Sequence, residues 1–204
     1  MWERATVSDN LKRAGALEAL ARRVQMGGID AVVVASVTGR TAVTAARALG
    51  GTGCRLICVA DTPDWEGFPY PTLDPGHHQE LLERGVQLLR DYRSSSAGMP
   101  RFDPETGENR ACTPAEAGLF WAGVSVIGGE GMKVAVKSVV LATDHALLQP
   151  GERVAALGGG PGQEVAVVLD ALGHAQLLAG ALGTRLSVHE ILWIPSQHGP
   201  GPRS

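Results

Sequence analysis

The apolar positions of the chain fall into runs of two kinds, one with helical spacing and one continuous. Residues 11 to 25, "LKRAGALEALARRVQ", place Leu11, Leu17, Leu20 and Val24 at helical spacing with Arg and Glu between them, which predicts an amphipathic helix. Gly27 and Gly28 then stop it. "IDAVVVAS" (29–36) is short, apolar and β-branched, the pattern of a strand buried on both faces of a parallel sheet. "TAVTAARALGG" (41–51) reads as a second helix with its own glycine stop, and "RLICVAD" (55–61) as a second buried strand. Strand, helix and strand with short links predict a βαβ unit.

Further along, residues 62–76 hold four prolines and two glycines and predict a long loop. "HHQELLERGVQLLRDY" (77–92) reads as a helix broken at Gly85 and followed by a strand at "VQLL". Residues 93–113 are polar with Gly and Pro, which predicts the least ordered stretch. Thr113, Pro114 and Glu116 supply a cap, a first-turn proline and an acid three residues after the cap, so a helix should start there. Its expected end is about Ile127, before "GGEG". "KVAVKSVVLAT" (133–143) is apolar and β-branched and predicts a third long strand. "ERVAALGGGPGQEVAVVLDA" (152–171) predicts two strands around a glycine loop, and "SVHEILWIP" (187–195) a last one. No internal repeat is visible.

These elements predict an α/β fold: a three-layer sandwich with a largely parallel, partly mixed central sheet. The late strands follow one another too closely for intervening helices, so the mixed part should lie there. The N-terminal helix should cover one face. Residues 1–195 are expected to form a single domain and residues 196–204, "SQHGPGPRS", a flexible tail.

Composition narrows the function. The 204 residues are 44% hydrophobic and 19% charged, as in a globule with a sizeable core. Aromatic residues are only 4%, so aliphatic side chains must supply most of the packing. A net charge of −3 speaks against a nucleic-acid partner, which requires a concentrated basic surface. The start, "MWERATVSDNLKR", lacks the apolar core of a signal peptide, and no apolar run reaches the roughly 18 residues that span a bilayer. A cytoplasmic protein without a membrane partner is therefore expected. Cys54, Cys58 and Cys112 show neither Cys-x-x-Cys spacing nor a nearby histidine set, so no metal is expected.

The chemistry concentrates at "SVTGRT" (36–41), between the first buried strand and the helix after it. In an open α/β sheet, ligands sit beyond the carboxyl ends of strands, where helices begin. The first turn of a helix offers unpaired N–H groups and the positive end of its dipole to an anion. Ser36, Thr38 and Thr41 add hydroxyl groups, Gly39 permits close backbone approach, and Arg40 offers a planar fork to a phosphate. The same residues also make an ordinary capped turn with a solvated arginine. Both readings stand on spacing alone.

"ASVTGRTA" (35–42) after its strand resembles the phosphate loop of the pyruvate kinase C-terminal domain. The chain is similar over residues 30–195 to a stand-alone family built like that domain. The shared pattern continues in "EGFP" (66–69), "VVLATD" (139–144) and "LGGGPGQEVAVVL" (157–169). Members of that family look like flavin mononucleotide (FMN) binders. The resemblance implies that Ser36, Thr38, Gly39, Arg40 and Thr41 hold the phosphate. It places Gly67, Phe68, Thr143 and Asp144 nearer the ring or ribityl chain, and makes Gly158, Gly159 and Gly162 a third wall. Three positions depart from the pattern: Arg40 stands where the family usually has an acid, Gly160 where it has an arginine, and His145 where it has a small residue.

Other candidates read as structural. "GGGPG" (158–162) lacks the third glycine of a dinucleotide fingerprint and leads into a strand, so a tight turn is expected. His77 and His78 read as solvated helix-start residues. Asp144 and His145 are adjacent and so unsuited to aim at one point. Ser94–Ser96 with Gly98 reads as a loop. Pyruvate kinase activity is not expected, because in that enzyme a separate barrel domain does the chemistry. The expectation is a protein that binds a phosphate-bearing small molecule, FMN by resemblance, with a flavin-dependent oxidoreductase or other phosphometabolite enzyme as the alternative. No catalytic residues stand out. Self-association is expected from apolar edge strands that need covering.

Overall fold

A computed structural model of the chain describes residues 7–60, 72–90, 100–103, 108–160, 162–177 and 186–195. Most of the 62–76 loop, including Gly67 and Phe68, lies outside the described residues, as do Ser94–Ser96, Gly98 and the tail 196–204. The order along the chain is α1 (Val7–Gln25), β1 (Ala31–Ala35), α2 (Arg40–Ala48), β2 (Arg55–Val59), α3 (Pro75–Glu83), β3 (Gln87–Leu89), β4 (Pro100–Asp103), β5 (Glu108–Ala111), α4 (Pro114–Ser125), α5 (Gly129–Asp144), β6 (Arg153–Gly158), β7 (Val165–Asp170), α6 (His174–Leu177) and β8 (Val188–Trp193).

Six strands form one sheet in the order β3-β2-β1-β6-β7-β8. β3, β2, β1 and β6 are mutually parallel; β7 and β8 run antiparallel to their neighbours. The sheet is therefore mixed at its late end, where the β6–β7 link (159–164) is too short for a crossover helix, whereas the longer β7–β8 link carries α6. The β1–α2–β2 unit is present. Alternate side chains of each strand enter different cores. Val32, Val34, Cys58, Leu157 and Val168 pack with α1, α2 and Leu81 of α3. Val33, Ile57, Val59, Ala156 and Val167 pack with Trp121 of α4, Val136, Val139 and Val140 of α5, and Leu177 of α6. α1 lies over β6, β7 and β8, so it covers one face as expected, with Leu17, Leu20 and Val24 buried.

Two expectations change. The run at 133–143 is part of helix α5 and not a strand. Its buried positions Met132, Ala135, Val136, Val139, Val140 and Thr143 recur at helical spacing. Because α4 covers the outer side of α5, that side is apolar too, and the helical period is masked by a continuous run. Glycines make this burial close: a Cβ on Gly131 would collide with the Gln163 carbonyl, and one on Gly158 with the Ala135 backbone. Within the stretch expected to be least ordered, β4 and β5 form an antiparallel ribbon.

The helix starts follow the local chemistry. Thr113 caps α4 in a complete capping box: its hydroxyl accepts from Glu116 N, and Glu116 Oε2 accepts from Thr113 N. Asp74 caps α3 by accepting from His77 N, and that amide holds the Asp74 carboxyl below its ordinary range.

Candidate functional site

The parallel strands end together at Ala35, Val59, Leu89 and Gly158, which defines a carboxyl edge of the sheet. Strand order reverses between β1 and β6: β2 and β3 continue to one side of β1, while β6 lies on the other. The crevice beyond such a reversal is where open α/β sheets take ligands. The Ser36–Thr41 turn leaves β1 on one lip of this crevice, and Gly158–Gly162 leaves β6 on the other. α2 and α5 begin at the same edge, on opposite faces of the sheet. The α5 start is fixed there by the approach of Gly131 to Gln163.

Ser36 is buried, and its amide donates to the Val59 carbonyl at 2.9 Å. Its hydroxyl oxygen accepts from Thr41 N at 3.2 Å and from Ala42 N at 3.4 Å. Two first-turn amides of α2 are thus already capped from within the chain. Gly39 has φ +82°, a left-handed conformation that favours glycine. Its surroundings add a second reason, because a Cβ there would stand 2.6 Å from Leu73 Cδ1 and 2.8 Å from His77 Cβ. The glycine therefore admits α3, which closes over the turn. The Thr38 carbonyl accepts from Asp74 N at 3.2 Å and from His77 Nδ1 at 2.8 Å. His77 is accordingly a structural donor and not merely a solvated helix-start residue.

Three polar groups remain on this lip. The hydroxyls of Thr38 and Thr41 carry no hydrogen bond among the described residues, and the exposed Arg40 guanidinium makes no ion pair among them. Behind them Cys58 is fully buried, and burial pushes its thiol up to about 12, so it stays protonated and inert. On the other lip, Gly158 and Gly159 are required by packing, because a Cβ on Gly159 would meet the Gln163 carbonyl. Gly162 has φ +77°, as the expected tight turn requires. Gly160 alone of the three successive glycines borders open space. Next along the chain, Glu164 is 2% exposed and pairs through Oε1 with Arg13 Nε at 2.8 Å, while its Oε2 has no partner among the described residues.

Thr143 and Asp144 are not brought to this edge. They end α5, and about 22 Å of helix separates Gly129 from Asp144. Thr143 is buried and donates its hydroxyl to the Val139 carbonyl at 2.9 Å. Asp144 meets His174 at the amino edge, next to the start of β6. The partner of Asp144 is therefore a histidine thirty residues away and not the adjacent His145. No signal short of the strand order places them together.

Among the described residues, no group of three or more His, Cys, Asp or Glu gathers as metal ligands, and no helix is long and apolar enough to cross a membrane. No family model matches the chain.

Proposed function

We propose that the protein binds a phosphate-bearing small molecule in the crevice between the carboxyl ends of β1 and β6. The observation that carries this reading is the trio Thr38, Arg40 and Thr41. Among the described residues, two unpartnered hydroxyls and one unpaired guanidinium stand at the start of α2, on one lip of the strand-order reversal. A guanidinium fork and hydroxyl donors suit phosphate oxygens, and the dipole of α2 favours negative charge there. Ser36 supports the turn from inside, and Gly160 leaves the opposite lip open for the remainder of the molecule.

The ligand proposed is FMN, from the resemblance of "ASVTGRTA" and its companion motifs to a family whose members look like flavin binders. The donor set fits the phosphate end of FMN, with Thr38, Arg40 and Thr41 as its holders. When bound, the flavin supplies redox chemistry through its ring. Thr143 and Asp144 take no part in this site, and the chain's own residues bind and orient.

Titration of FMN, read by flavin fluorescence, tests the reading. The double variant Arg40→Ala with Thr41→Ala should weaken binding by about 100-fold, the loss of one charge-assisted and one neutral hydrogen bond. The melting temperature of the ligand-free protein should stay nearly constant. Unaltered affinity in that variant refutes the site. Saturable binding of inorganic phosphate that the same double variant loses, with no response to FMN, keeps the site but replaces flavin with another phosphate compound.

A further inference from the structure

The amino edge of the sheet carries an arrangement that the phosphate site does not use. Asp144 commits both carboxylate oxygens to one residue. Oδ1 accepts from His174 N at 2.9 Å, and Oδ2 accepts from the ring Nδ1 of the same histidine. Gly173 makes the approach feasible, because a Cβ there would stand 2.6 Å from Asp144 Oδ1. The two side chains retain 30% and 15% of their exposure.

An ionised carboxylate only accepts, so Asp144 holds a proton on Nδ1, and in the neutral ring the lone pair then lies on Nε2. That nitrogen is buried and has no hydrogen-bond partner among the described residues. The Trp121 ring stands nearly perpendicular to the imidazole, with centroids 6.4 Å apart. Trp121 belongs with Leu172 and Leu177 to the apolar core on this face. Tying α5 to the segment before α6 needs only the Asp144 bonds. A bare buried Nε2 is instead a lasting cost, of the kind that an entering donor relieves.

We propose that His174 Nε2 is a proton-accepting centre for the hydroxyl group of a small, mainly aromatic or apolar molecule. Asp144 sets the tautomer and orients the ring, as a carboxylate does behind a working histidine. Trp121 supplies an apolar wall for the body of the ligand. The site is independent of the phosphate crevice, from which the length of α5 separates it.

Phenol is the probe, added to full-length protein with ¹⁵N-labelled histidine and followed through the ring nitrogens. In the free protein, His174 should carry its proton on Nδ1 and none on Nε2. Phenol should then shift Nε2 of His174 saturably. His174→Gln should abolish the saturable binding, and Asp144→Asn should weaken it by about tenfold or more. FMN affinity should stay constant in both variants. A proton found on Nε2 overturns the proposal, as does an Nε2 resonance unmoved by phenol up to its solubility. Binding that survives His174→Gln overturns it too. The two measurements on the wild-type chain decide the matter even if a variant fails to fold.

Discussion

The Ser36 oxygen accepts two amide hydrogens of α2 while the Ser36 amide extends the β1–β2 ladder. Replacing this serine by alanine leaves both amides without their acceptor inside a buried turn. Ser36→Ala should therefore destabilise the protein by about 1–2 kcal/mol, measured by denaturant unfolding with an unchanged slope. Arg40→Ala with Thr41→Ala should leave the same measurement nearly flat, because Arg40 is exposed and neither side chain is bonded among the described residues. The two results separate residues that support the fold from residues that do not within six positions of sequence. The spacing of "SVTGRT" was enough to locate this turn at the end of a strand. It was not enough to assign the roles, because a serine that caps and a serine that binds have the same local sequence.

At the scale of elements, α2 and α3 are joined by one carboxylate. Glu80 of α3 accepts from Arg47 Nε at 2.8 Å and Nη2 at 2.6 Å, and from Arg84 Nε at 2.9 Å. The hydrogen bonds from Arg47 and then Arg84 hold the Glu80 carboxyl down at about 2. A carboxyl lowered in the folded state contributes stability above its unfolded value, and that contribution fades as pH falls through the folded one. The melting temperature of the wild type should thus exceed that of Glu80→Gln at neutral pH. Their difference should shrink between about pH 4.5 and pH 2. Being at the surface, the effect is modest. A difference that stays constant across that window removes Glu80 as the link. Element type itself was mostly legible in the pattern of apolar positions. α4 announced itself through Thr113, Pro114 and Glu116, and the βαβ unit through its glycine stops. α5 did not, because a helix covered on both sides loses the polar stripe from which its period is read. The length of the run at 133–143 was the remaining clue, since eleven residues exceed an ordinary strand.

Across the whole molecule, β1 and β6 are central strands buried on both faces, whereas β3 and β8 are edges. Amide exchange should follow that order. The amides of Val32–Val34 and Ala155–Leu157 should exchange only through global unfolding, and those of β8, where Val188 and Ile191 are exposed, should exchange sooner. Equal protection in β8 and β1 contradicts this ranking of the strands. By itself the sequence determined the α/β class, the mixed late strands and the turn at 36–41, because strand, helix and cap signals act over a few neighbouring residues. The tertiary structure alone decided that α5 is a helix, that Gly39 makes room for α3, and that Asp144 faces His174 at the edge remote from Ser36. Those outcomes depend on which strands lie side by side, and that order is set by burying two faces of one sheet, which no local spacing records.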